Sequence, residues 1–238
     1  MAANLPARGH FTIFSDGWNL FIGCLISEKE KRIAIEGDSR ETGRFGSAFD
    51  IVALAASAGG LRALSQVLAA LPGNFPAILV VVQHLDPRHR SLMADILSRR
   101  TDLAVKQATE GERLNPSTAY IAPPNRHLLV NSDGTLSLTQ SELVHFVRPS
   151  ADLLFESVAA SFKERAIAVV LSGTGSDGSM GVKAIKKMGG TVIVQDEKSS
   201  EFFGMPGAAI ETGNVDFVLP LVEIPAALIT LVIKGDAE

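Results

Sequence analysis

The stretch "DIVALAASAGGLRALSQVLAALPG", residues 50–73, changes texture partway along. Residues 50–56 form an apolar run with β-branched members, as expected of a strand buried on both faces. From Gly59 the period changes. Leu61, Leu64, Val67, Leu68 and Leu71 recur at helical spacing, and Pro72-Gly73 ends the pattern. Between the two lies Ser57-Ala58-Gly59-Gly60, a turn whose glycines permit a sharp bend and a close approach of helix to strand. The stretch therefore predicts a buried strand, a tight turn and a covering helix.

The same alternation continues outward. "AILVVVQ" (77–83) predicts a second buried strand and "SLMADILSRR" (91–100) a second helix. Further on, a helix is expected at about 151–163, a strand at 166–172, a helix at 179–188, strands at 191–195 and 215–219, and a last helix at about 222–233. This order argues for an α/β fold, a doubly wound, mostly parallel sheet with helices on both faces. Residues 103–140 break the rhythm with four short strand-like runs, "LAVKQ", "AYIA", "HLLVN" and "TLSLT". Ser132-Asp133-Gly134 joins the last two as a hairpin turn, so an antiparallel excursion is expected at one edge.

Composition narrows the function classes. The chain has 238 residues, 46% hydrophobic and 20% charged, enough for one sizeable core. A net charge of −4 without a basic stripe argues against nucleic-acid binding. The single cysteine, Cys24, excludes an internal disulfide framework and a cysteine-based zinc site. No apolar run approaches the roughly 20 residues that span a bilayer. The early sequence does not read as a secretory signal: its one early cation is Arg8, and "NLFIGCLI" (19–26) is short. A cytoplasmic protein without membrane insertion is expected. Residues 1–48 carry the charged patch "SEKEKR" (27–32) and no sustained period, so they are expected to be an accessory or weakly ordered segment. The folded domain is expected over 49–235.

In open α/β sheets, ligands bind beyond the carboxyl ends of the strands. Ser57 follows the strand at 50–56, His84 follows the strand at 77–83, and Asp177 lies in the loop after the strand at 166–172. A serine, a histidine and an aspartate at equivalent places on one sheet suggest acyl transfer. Ser57 would attack, His84 would take its proton, and Asp177 would hold the other ring nitrogen. The N–H groups of Ala58 and Gly59, at a helix N-terminus, can face an oxyanion. Bland readings stand beside this one: Ser57 as a helix cap, His84 as a loop histidine, Asp177 as a turn residue. Ser-Asp-Gly occurs at 15–17, 132–134 and 176–178, but only the third copy follows a buried strand. The loop also fits a rival pattern. Gly173, Gly175 and Gly178 spell G-x-G-x-x-G, with Asp196 at the end of the next strand, as in dinucleotide-binding domains. Asp177 argues against it, because a carboxylate there would repel a pyrophosphate.

Six segments then resemble one family, the bacterial chemotaxis protein-glutamate methylesterases. They are "ALAASAGGLRAL" (53–64), "ILVVVQHLDPRHRSLMADIL" (78–97), "EGERLNPSTAYIAPPNRHL" (110–128), "RPSADLLFESVA" (148–159), "VVLSGTGSDGSMGVKAIKKMGG" (169–190) and "FFGMPGAAIETGNVDFVLPL" (202–220). The resemblance implies a doubly wound catalytic domain with the triad on Ser57, His84 and Asp177. It implies hydrolysis of γ-glutamyl methyl esters on the cytoplasmic helices of chemotaxis receptors, in adaptation and signal transduction, with deamidation of glutamines in some members. It implies no cofactor and no metal. Two departures leave backbone donors in place: Ala58 stands where threonine is frequent, and Thr174, whose N–H would point at the oxyanion, stands where methionine is common. Forty-eight residues are too few for the receiver domain of typical members. Regulation by another signalling partner, or an interaction module that kept the fold with an altered substrate, is the alternative. Arg88, Arg90 and Arg148 would attract acidic receptor helices or act as local structural partners. His89 lies five residues after His84, with Asp86 between, but no compact third metal ligand accompanies them, and His127, after "APPNR", reads as structural or as part of the rim.

Overall fold

The structure, a computed structural model, describes residues 49–84, 91–144 and 146–233. The expected accessory segment 1–48, with Cys24, lies outside them, as do Asp86, Arg88, His89 and Arg90. The elements in chain order are β1 (Ile51–Ala56), α1 (Gly60–Ala69), β2 (Ile78–Gln83), α2 (Met93–Ser98), β3 (Ala104–Gln107), β4 (Thr118–Ile121), β5 (His127–Val130), β6 (Leu136–Thr139), α3 (Ala151–Phe162), β7 (Ala166–Val170), α4 (Ser179–Lys187), β8 (Thr191–Gln195), α5 (Gly204–Glu211), β9 (Phe217–Leu219) and α6 (Ile224–Ile233), with a short 3₁₀ turn, Lys163–Arg165, before β7.

Seven strands form one parallel sheet in the order β3-β4-β2-β1-β7-β8-β9. Strands β1, β2, β7 and β8 are buried along their whole length. That is why they read as continuous apolar runs, with no polar alternation. Ile51, Ala53 and Ala55 of β1 pack into a core with Leu154, Phe155 and Val158 of α3, Val182 and Ile185 of α4, and Met205 and Ala209 of α5. The alternate residues, Val52 and Leu54, are equally buried and by the strand's two-residue period face the opposite layer. There α1 contacts both α2 and α6.

The edge segment differs in part from expectation. "LAVKQ" and "AYIA" do not pair antiparallel; β3 and β4 join the main sheet in parallel register. A ten-residue connection, 108–117, leads out of β3 and back to the same end of the sheet, where a two-residue turn would have reversed the chain. Only β5 and β6 are antiparallel, as a separate two-stranded hairpin around Ser132-Asp133-Gly134, with Gly134 at φ +78°. Helix α5 had no sequence signal, since Gly204, Pro206 and Gly207 all lower helix propensity. Among the described residues, no helix is long and apolar enough to cross a membrane.

Candidate active site

The strand order reverses between β1 and β7, which share an edge and diverge in the sequence. This is the crevice where open α/β sheets place their ligands. The ladder continues past the strand ends: His84 N–H donates to the Ala56 carbonyl at 3.1 Å, and Ser57 N–H donates to the Ser172 carbonyl at 3.0 Å. His84, Ser57 and Ser172 are thus carried out side by side by three neighbouring strands.

Ser57 is only partly buried, at the head of the turn into α1. Gly59 caps that helix at φ +75°, and a Cβ there would stand 2.8 Å from Ser172 Oγ, so both backbone and space require glycine. Gly173 comes equally close from the other side: a Cβ on it would lie 2.9 Å from Ser57 Cβ. The Ser57 turn is held from beneath. Gln83 Nε2 donates to the carbonyls of Ser57 (2.6 Å) and His84 (3.1 Å), and Ser172 Oγ donates to the Ala58 carbonyl at 2.9 Å. Among the described residues, the N–H groups of Ala58, Gly59 and Thr174 have no acceptor, which leaves them as backbone donors around the serine turn and the 173–175 turn.

His84 and Asp177 meet directly. Nε2 of His84 donates to Asp177 Oδ2 at 2.8 Å, and this leaves Nδ1 as the open ring nitrogen. Among the described residues no hydrogen bond joins Ser57 Oγ to His84. Asp177 is 3% exposed and saturated with donors: Ser150 Oγ at 2.8 Å and Asp152 N–H at 3.1 Å on Oδ1, Ala151 N–H at 2.6 Å on Oδ2. Burial pushes this carboxyl's pKa up, but the bonds from His84 and from the Ala151 and Asp152 N–H groups outweigh it and hold the value below the usual carboxylate range. The positive end of α3 therefore grips an ionised Asp177. Ser150, Ala151 and Gln83 were missed as site residues; "RPSADLLF" contains a serine helix cap, and that was the available signal.

A groove of about 360 Å³ opens beside Ser57 and is lined also by Gly59, Leu61, Arg62, Gln83 and Arg100. Of the cations named from sequence, Arg88 and Arg90 lie outside the described residues. Arg148 acts as a local structural partner: its Nε and Nη2 donate to Asn125 Oδ1 (2.9 and 2.7 Å), and its Nη1 to the carbonyls of Gln140 (3.1 Å) and Ser141 (2.7 Å). The arginines at the groove are Arg62 and Arg100. Asp196, the strand-end carboxylate of the rival dinucleotide pattern, accepts Ser199 N–H at 3.0 Å in a local turn.

Residues 52–228 match the family model for the CheB methylesterase. The chain belongs to the CheB methylesterase family. This is a family of enzymes, carboxylic ester hydrolases. The catalytic domain of Thermotoga maritima CheB methylesterase superposes with a TM-score of 0.74 at 40% identity, over 77% of this chain and 98% of that one. A protein-glutamate methylesterase/protein-glutamine glutaminase of Moorella thermoacetica is 42% identical over 187 residues, 77% of this chain but 44% of its own length. A Leptospira interrogans relative is 39% identical over 183 residues, which are 77% of this chain and 95% of its own. The chain thus spans nearly all of one CheB relative and under half of another.

Proposed function

We propose that this chain is a protein-glutamate methylesterase that hydrolyses γ-glutamyl methyl esters on the cytoplasmic helices of chemotaxis receptors. Ser57, His84 and Asp177 act as its triad. The observation that carries this reading is the pairing of His84 with the buried Asp177, one strand away from Ser57, in a chain of this family. Ser57 Oγ forms a bond to the ester carbonyl carbon while His84 Nδ1 takes its proton. The backbone N–H groups of Ala58, Gly59 and Thr174 receive the oxyanion; loss of one such donor costs about 3–4 kcal/mol of barrier. The C–OCH₃ bond then breaks, and methanol leaves with the proton from Nδ1. Water attacks the acyl-serine by the same route in reverse and leaves free glutamate. Asp177 stays ionised throughout and stabilises the imidazolium. The glutaminase half of the relatives' names fits the same acyl-enzyme, with ammonia in place of methanol. No step needs a metal or a cofactor.

A serine-directed fluorophosphonate probe tests the triad, and methanol release from methylated receptor fragments tests the substrate. Wild-type protein should label at Ser57 and release methanol, and Ser57→Ala should do neither. Equal labelling of Ser57→Ala would end the triad reading. Labelling without methanol release would leave the triad and remove the substrate.

A further inference from the structure

His127 opens β5 and has no exposed surface. Both of its nitrogens are engaged. Ser150 N–H donates to Nδ1 at 3.1 Å, and Nε2 faces the Glu142 carbonyl at 3.0 Å. A carbonyl only accepts and an N–H only donates, so the ring is neutral, with its proton on Nε2 and its lone pair on Nδ1. Burial, the largest influence, and the nearby Arg148 charge favour this neutral form against the opposing pull of the Glu142 carbonyl and Asp177.

The bond to Ser150 matters because of where Ser150 stands. It is the N-cap of α3 and fully buried, so its N–H needs a protein acceptor. With that N–H held by His127, Ser150 Oγ donates to Asp177 Oδ1 at 2.8 Å, and the next two N–H groups of the helix donate to the same carboxylate. Asp177 in turn receives His84 Nε2. The path is unbroken: His127 Nδ1, Ser150, Asp177, His84.

We propose that His127 is a positioning residue for the esterase reaction: through Ser150 it fixes the frame in which the start of α3 grips Asp177, and thereby the angle at which His84 faces Ser57. This rests on the triad reading above. The chemistry asks for a buried neutral acceptor at this point. A protonated imidazole would turn an N–H toward Ser150 N–H, and an aliphatic side chain would leave that N–H with no partner. Among the described residues, the charged groups that face the relay are Arg148 and Asp177 around His127, and Asp177 is paired with His84; Glu142 contributes its carbonyl and not its carboxylate.

The test uses the full chain in three variants. His127→Leu removes both bonds. His127→Gln keeps one acceptor and one donor. Ser150→Ala keeps the backbone N–H on His127 but removes the hydroxyl from Asp177. The readout is the rate constant for fluorophosphonate labelling of Ser57 as a function of pH, well below each variant's melting temperature. His127→Leu should label about 10–100-fold more slowly. Its acid limb should move to lower pH, because a loosened Asp177 supports the imidazolium less. Ser150→Ala should shift the limb the same way, and His127→Gln should restore most of the rate. A folded His127→Leu with wild-type rate and acid limb would overturn the proposal; so would an unshifted limb in Ser150→Ala, which decides the matter if His127→Leu does not fold. Failure of the triad reading is distinguishable, because Ser57→Ala would then label like the wild type whatever happens at His127.

Discussion

Asp177 keeps a negative charge where solvent is nearly absent, and does so because four donors converge on it. Removing its charge without its shape, by Asp177→Asn, presents an amide to His84 Nε2 and favours the wrong tautomer. A drop in kcat of about 10⁴-fold is expected, measured as methanol release. Ser57→Ala and His84→Ala should each cost about 10⁴–10⁶-fold, and the double variant little more than the worse single one, since the two act as a unit. The same carboxylate links stability to pH. Its folded pKa lies below the ordinary value, so its contribution is present above the usual carboxylate range and is lost as pH falls through the depressed value. Urea unfolding from pH 6 down to pH 3 should therefore show a steeper loss of stability in the wild type than in Asp177→Asn. Parallel curves would mean that Asp177 is held no better folded than unfolded.

At the scale of elements, the start of α3 is where fold and site coincide. The helix holds Asp177 with its first N–H groups, and Asp152 Oδ1 accepts Gly181 N–H at 2.8 Å to tie it to α4. Phe155, fully buried, fills the space between the two helices against Gly178 and Gly181. Phe155→Ala should cost about 3–5 kcal/mol in chemical denaturation and loosen the Asp177 loop from α3. Labelling at Ser57 should then fall more than it does in a variant equally destabilised in α6. Legibility at this scale followed burial. The apolar runs of β1, β2, β7 and β8 were plain because both faces are covered, and the five expected helices that lie among the described residues are present, trimmed at their ends. Helix α5 was invisible because tertiary packing of Met205 against Gly173, and not propensity, makes it a helix. The partners of β3 and β4 were misread because a short apolar run states that it is a strand but not its direction.

For the whole molecule, the reversal of strand order between β1 and β7 places the Ser57 turn and the 171–178 loop next to each other, with a groove beside them lined by Arg62 and Arg100. Among the described residues neither arginine is in an ion pair. Both should favour substrates with carboxylates next to the ester. Arg62→Gln and Arg100→Gln should each raise KM about 2–5-fold on methylated peptides with acidic neighbours, in a salt-dependent way, and leave fluorophosphonate labelling unchanged. Equal KM values for acidic and neutral peptides in the wild type would assign the arginines no part in recognition.

The sequence by itself determined the layered parallel sheet, because strands covered on both faces must be continuously apolar and their helices must show a 3.6-residue period. It also put Ser57, His84 and Asp177 at three strand ends, since the carboxyl edge of such a sheet is where its loops gather. Only the tertiary structure decided which nitrogen of His84 meets Asp177, that Gln83 clamps the turns of Ser57 and His84 together, and that Ser150 and His127 stand behind the carboxylate. Those bonds join residues 23 to 93 positions apart, apart from the Gln83 bond to the adjacent His84. Local propensity carries no information over that distance. The docking of α3 against β7 and the hairpin sets which donors arrive.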